Sequence, residues 1–245
     1  MANAPGSVQV INHWKAGLRS VPAEVWERTG LRVLILADNE LTTLAPEIGR
    51  LRALHTLDLG HNALTRLPDQ IGDLTGLTRC LYLHDNRLTA LPAPLGRLDR
   101  LGYLNIGENP LGRLPGSLGD MAGLHELRAQ HAALTELPAT VGRLARLREL
   151  WLRGNHLTGL PATMSGLRTL RELELRENAL AEIPDALRGL PLLRRLDLRG
   201  NELRDVPPWL ADMPTLEKLD LRWNAVDHDA TPLRTLRQRG CIVLT

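Results

Sequence analysis

With 245 residues, 43% of them hydrophobic but only 3% aromatic and none of them Phe, the chain has to build its core from aliphatic side chains. Its 30 basic and 28 acidic residues leave a net charge of +2, which gives no global case for nucleic acid or an anionic membrane as partner. No run of 18 apolar residues occurs and the opening segment lacks a basic, then apolar, leader, so a cytoplasmic protein is expected, with non-classical bacterial secretion left open.

In chain order, residues 1–7 read as a disordered segment and 8–30 as an N-terminal capping repeat. In that cap Val8, Ile11 and Leu18 occupy core positions, Ala16 stands where later units have Asn, and Trp14 and Trp26 are expected as lids over the first core layer. From Leu31 the frame L-x-x-L-x-L-x-x-N-x-L recurs. Its asparagines fall at Asn39, Asn62, Asn86, Asn109, Asn155, Asn178, Asn201 and Asn224, spaced by 23, 24, 23, 46, 23, 23 and 23 residues. Nine units fill residues 31–226, beginning at Leu31, Leu54, Thr78, Leu101, Leu124, Leu147, Leu170, Leu193 and Leu216.

Three units depart from the frame. The first has Ala45-Pro46 where others place Pro first, the unit from Thr78 carries one extra residue near Cys80 and should bulge locally, and the unit from Leu124 has Ala129 for Leu and Ala132 for Asn. The last of these leaves an inner turn short of a polar partner, to be replaced by solvent or a shifted backbone. Residues 227–245 read as a C-terminal cap, with Thr231-Pro232 opening a short helix, Gly240 stopping it, and Ile242 and Leu244 closing the sheet with one more strand. The whole is expected to be one structural domain.

Each position of the repeat has a physical reading. The fourth and sixth leucines alternate with polar residues at period 2, which makes a short strand with one buried face. Such a strand cannot bury itself, so units stack in parallel and share a core. The Asn satisfies backbone groups at the inward turn. Leu-Pro then opens a return segment whose three-residue spacing of Ile or Leu suits a short 3-10 helix. The segments Leu67-Pro68-Asp69-Gln70-Ile71-Gly72 and Leu137-Pro138-Ala139-Thr140-Val141-Gly142 carry this half of the pattern. Together the motifs, over residues 8–245, resemble the leucine-rich-repeat superfamily in its 23-residue L-P-x-x-[IL]-G-x-L class, that of intracellular Ras-group scaffolds and many bacterial proteins. The resemblance implies an α/β repeat solenoid: a right-handed, curved horseshoe with a concave parallel β-sheet and convex 3-10 or irregular helical segments.

Function in such a scaffold falls on positions the fold leaves free. Between and around the paired leucines lie Tyr82, His84, Tyr103, Arg128, Trp151 and Arg153, with His131 and Trp223 one step outward. Aromatic residues beside arginine on a rigid sheet are the composition of binding hot spots, although rings stacking across strands would look the same. Farther along, Glu126, Glu149, Glu172, Glu174, Asp197 and Asp220 form an acidic centre. Arg153, Arg176, Arg199 and Arg222 flank it on one side, and Arg148, Arg171 and Arg194 on the other. Such a stripe either neutralises itself or selects a charged, extended partner, and its interleaved acids argue against nucleic acid.

No P-loop, G-x-G-x-x-G, G-x-S-x-G or H-E-x-x-H occurs, and the two cysteines, Cys80 and Cys241, lie outside any CxxC. Asp58, His61, Cys80, His84 and Asp85 reach neighbouring strands, but a shallow sheet face is a poor place for a metal or nucleophile. The expectation is a non-enzymatic, cofactor-free and monomeric module binding another protein on its concave face. The alternatives are a secreted bacterial effector acting on host signalling, and a metal- or Cys-dependent enzyme.

Overall fold

A computed structural model describes residues 9–245, so the expected disordered segment 1–7 and the core position Val8 lie outside the described residues. Eleven three-residue strands form one parallel sheet in strict chain order. They are β1 (Val10–Asn12), β2 (Val33–Ile35), β3 (Thr56–Asp58), β4 (Cys80–Tyr82), β5 (Tyr103–Asn105), β6 (Glu126–Arg128), β7 (Glu149–Trp151), β8 (Glu172–Glu174), β9 (Arg195–Asp197), β10 (Lys218–Asp220) and β11 (Ile242–Leu244). Among the described residues nine five-residue 3-10 turns, from Ala23–Glu27 to Pro208–Asp212, return the chain along the other side. This is the curved leucine-rich-repeat solenoid.

The central residue of each strand points inward because only it is apolar in most units. Leu34, Leu57, Leu81, Leu104 and Leu127 have 0% exposure. Proline is the extended residue just before most turns rather than inside them, with φ of −70° at Pro68 and −64° at Pro138. It ends the strand side of each coil where its missing N–H costs nothing.

The asparagine column holds the inner turns. In Asn62 the amide nitrogen donates to Leu36 O of the preceding unit (3.0 Å) and to Leu59 O of its own (3.1 Å), while its oxygen accepts the Leu41 N–H (3.0 Å). The same pattern recurs at Asn86, Asn109, Asn178 and Asn201. The residue before each Asn adopts left-handed φ, from Asp38 (56°) and His61 (52°) to Trp223 (62°), so the turn imposes a conformation that only Gly takes without cost.

The irregular units resolve differently from one another. In the unit with the extra residue, Leu77 rather than Thr78 takes the core position, and the β3–β4 register Thr56↔Cys80 is unbroken. The surplus is absorbed just upstream of the strand. Elsewhere one carbonyl receives two successive N–H groups, as Arg32 O does from His55 and Thr56, whereas here Thr78 O receives Gly102 N–H and Arg79 O receives Tyr103 N–H. At Ala132 the backbone shifts. Leu111 N–H, deprived of an Asn oxygen, bonds Asn109 O (2.8 Å), and Gly112 turns to φ 66° and donates to Ala132 O.

Both ends differ in part from expectation. Trp26 is buried against the first layer, but Trp14 is 54% exposed, because its indole N–H is drawn outward to Asp38 (2.6 Å). At the far end a helix, α1 (Thr231–Gln238), packs Leu233 and Leu236 inward; its N-cap is Ala230, not Thr231, and Gly240 follows it at φ 87°. β11 pairs Leu219 with Val243, so Val243 turns inward and Ile242 lies 59% exposed on the concave side.

Candidate protein-binding face

The outward residues flanking each inward leucine form columns across the sheet. Register pairs Asp58↔Tyr82↔Asn105↔Arg128↔Trp151 across β3 to β7. The parallel column Thr56↔Cys80↔Tyr103↔Glu126↔Glu149 runs beside it. Adjacent strands are about 4.8 Å apart, so side chains of neighbouring columns meet.

Six side chains, four from these columns and two histidines beside them, join one continuous row. His61 meets His84 edge to face at 4.7 Å, Tyr82 lies 6.1 Å from His84 and 5.1 Å from Tyr103, and the Arg128 guanidinium lies 5.8 Å from the Tyr103 ring and 5.1 Å from the Trp151 ring. Arg128 is held at one end by Glu126 (2.6 Å), and the Trp151 indole donates to Glu149 (3.3 Å). The row is thus fixed by its own neighbours rather than free to rotate. His61 is exposed, and the rings of His84, Tyr82, Tyr103 and Trp151 are half-buried.

Burial sets the charge states along the row. It raises the Tyr82 hydroxyl above its ordinary value, aided by the Cys80 side chain, and raises that of Tyr103. His84 is lowered, first by burial and then by His61, and its Nδ1 is buried without a hydrogen-bond partner. Burial also opposes the charge of Arg128, but the Glu126 carboxylate more than offsets it.

The other expected residues are placed apart from the row. His131 adopts left-handed φ (49°) and lays its ring over Gly154. Arg153 turns to Glu177 (3.0 Å). Arg176 approaches Glu174 (3.0 Å), Arg199 bridges Asp197 (2.5 Å) and Asp220 (3.4 Å), and Arg222 pairs with Asp220 (2.8 Å). Much of the charge stripe is therefore engaged internally. Trp223, 69% exposed, stands near the Arg199 and Arg222 guanidiniums at 5.9 and 5.8 Å.

Between the row and the sheet's last strand lies a hollow of about 500 Å³ whose walls include Trp151, Glu174, Asp197, Lys218, Asp220 and Ile242. Two residues take roles here that the sequence did not give them. His61 belongs to the row but occupies a turn position, and Ile242 reaches the hollow only because the last strand pairs one residue out of the repeat frame. Among the described residues no group of three or more His, Cys, Asp or Glu is arranged to hold a metal ion, the Asp58, His61, Cys80, His84, Asp85 set included.

Two carboxyls of the hollow carry opposite signs. Burial raises Glu174 above its ordinary value, so its ionisation opposes folding and stability falls as pH rises through the carboxylate range. Burial would raise Asp220 too, but hydrogen bonds from Arg222 and the charge of Arg199 hold it low. Its contribution is present above the unfolded carboxylate value and is lost as pH falls through the folded one. At neutral pH Glu174→Gln should raise the urea midpoint and Asp220→Asn lower it, both differences shrinking below about pH 4. Shifts of the same sign would refute this assignment.

Among the described residues no helix is long and apolar enough to cross a membrane. A family profile described as leucine rich repeat matches residues 29–88, 145–203 and 169–226. The structure of a leucine-rich-repeat protein of Leptospira interrogans is 27% identical, with a TM-score of 0.73, over 95% of this chain and 71% of that one. The leucine-rich-repeat domain of the type III effector XopL is 29% identical, with a TM-score of 0.77, over 91% and 78%. The ectodomain of the Arabidopsis thaliana receptor kinase GASSHO1/SCHENGEN3, solved in complex with CASPARIAN STRIP INTEGRITY FACTOR 2, is 31% identical, with a TM-score of 0.75. That match covers 89% of this chain but 27% of that ectodomain. No curated protein matches the sequence.

Proposed function

The chain belongs to the leucine-rich-repeat family, a fold typically used for protein–protein interaction, and from that premise we propose that it is a non-enzymatic module gripping a partner protein on its concave face. The observation carrying this reading is the row from His61 through His84, Tyr82, Tyr103 and Arg128 to Trp151, pre-ordered across five strands. A surface whose rings and guanidinium are already immobilised loses little side-chain entropy on binding, which favours affinity. The hollow beside it receives the rest of the partner, and Trp223 extends the contact at the far margin. Within this reading residues 8–30 and 227–245 act as the caps of a single nine-repeat domain.

Removing Trp151 should weaken capture of the partner by about 2 kcal/mol, roughly thirtyfold. The measurement is quantitative affinity capture with the wild type and with Trp151→Ala and Tyr103→Ala. Unchanged recovery of the wild-type partner by both variants would sink the concave-face reading. A second reading, delivery into a host cell as an effector, draws on the likeness to the XopL repeat domain. A translocation reporter fused to the chain separates it from a resident role.

A further inference from the structure

On two faces of this molecule arginines have acidic partners. On the convex arc Arg50 pairs with Glu27, Arg97 with Asp73 and Arg143 with Asp120. On the concave face Arg176, Arg195, Arg199 and Arg222 pair with acids of the sheet. The rim just upstream of the strands is different. Here Arg100, Arg146, Arg148, Arg168 and Arg171 are all exposed, and none has a carboxylate within 4.0 Å among the described residues.

The backbone aligns this rim. The N–H of Arg148 bonds His125 O, that of Arg171 bonds Arg148 O and that of Arg194 bonds Arg171 O, each at 2.8 Å, so their side chains repeat at the strand spacing of about 4.8 Å, and the run of unpaired cations ends at Arg194, which meets Glu217 (3.4 Å). Arg100, His125 and Arg146 border one shallow depression of about 370 Å³, whose lining includes a single acid, Asp99. Two of the nearest sheet acids are paired on the concave side, Glu126 by Arg128 and Glu172 by Arg195, while Glu149 accepts the neutral indole N–H of Trp151 there and keeps its charge. Arginines without an acidic partner also occur elsewhere, Arg66, Arg87 and Arg204 among them, but the rim brings five of them into neighbouring units.

We propose that this rim is a second docking surface, independent of the concave face, which takes an extended acidic segment of a protein. Guanidinium forks bind carboxylates in two-point geometry, and their regular pitch suits a chain running along the rim. Single-stranded nucleic acid is the less fitting occupant, since its tracks combine cations with several stacking rings, and the depression beside these arginines holds a single ring, that of His125. The Tyr and Trp rings of the row face the hollow instead.

The test is fluorescence anisotropy with a labelled oligoglutamate peptide, and an oligothymidylate of matching charge, on the intact chain. The peptide should bind at low salt, weaken as salt rises, and lose at least about tenfold in affinity to Arg146→Ala, Arg148→Ala and Arg171→Ala combined. Removing equal charge from the convex arc, by Arg50→Ala, Arg97→Ala and Arg143→Ala combined, should change affinity less than about threefold, as should Trp151→Ala. All six arginines are exposed, and circular dichroism confirms that each variant is folded before binding is read. The proposal is overturned if the peptide fails to bind, if the convex variant loses as much as the rim variant, or if the oligothymidylate binds more tightly than the peptide.

Discussion

Asn155→Ala is expected to destabilise the protein by about 3–5 kcal/mol, the largest loss for any member of the asparagine column. Its amide oxygen accepts two N–H groups, from Ala132 (3.0 Å) and Leu134 (2.9 Å), where the oxygen of Asn62 accepts one. Its nitrogen donates to Ala129 O (2.9 Å) and Leu152 O (2.7 Å). The side chain is 4% exposed, so truncation strands buried donors and acceptors that water cannot reach. The neighbouring unit shows what survival without an Asn requires. At Ala132 the loss is offset by Leu111, whose N–H turns back to Asn109 O, and by Gly112, which can turn to φ 66° and donate to Ala132 O. The segment facing Asn155 has neither device: Ala133 is already left-handed at 54°, and Leu134 points its N–H at the amide. Urea denaturation of the variant beside Asn39→Ala, at the first unit, checks the gradient. Equal and small losses at both positions would contradict it.

Gly142→Ala should cost about 2–3 kcal/mol although the change adds a single methyl group. A Cβ at Gly142 would collide with the carbonyl oxygen of Thr163 in the next unit, and one at Gly72 with that of Pro94. These are backbone atoms, so no rotamer change relieves the clash and the two 3-10 turns have to move apart. The glycine of the L-P-x-x-[IL]-G motif is thus a spacing residue between stacked turns. The contact migrates where the motif changes: Ser165 and Arg188 occupy its place in two later units, and Gly166 and Gly189, one residue on, supply the close approach. Gly159 is the internal control, with nothing within 4 Å of its Cβ position, and Gly159→Ala should leave stability unchanged or raise it by about 0.5 kcal/mol. The same substitution is expected to have opposite effects at the two sites, read as the difference in urea midpoint.

The fold was legible because its determinants are local and repeated. Leucine alternation placed the strands, the asparagine spacing set the unit, and parallel stacking followed from strands too short to bury themselves. The departures came from interactions that a repeat frame does not contain. Thr78 was assigned the core position that Leu77 takes because one extra residue can be absorbed on either side of a leucine. Ile242 lies outward because the last strand pairs one residue out of the repeat frame, and Trp14 is exposed rather than a lid because Asp38 draws its indole outward.

The candidate face was legible by column, since period 2 and register put Tyr82, Tyr103, Arg128 and Trp151 on the same side. What side chains do once there is set by partners across strands. His131 and Arg153 lean away to Gly154 and Glu177, and His61 joins the row from a turn. Sequence period carries no information on such rotamers. The arginines upstream of the strands stood out only once the structure established which of the chain's many charges are already paired.

The central claim, that the row from His61 to Trp151 is where the partner docks, is tested most directly by hydrogen–deuterium exchange of the captured complex. It predicts slowed exchange in segments 56–61, 80–85, 103–107, 126–130 and 149–153, with the turns Pro46–Arg50 and Ala93–Arg97 of the convex arc unchanged. Protection confined to the convex turns, with the row exchanging as in the free protein, would contradict it.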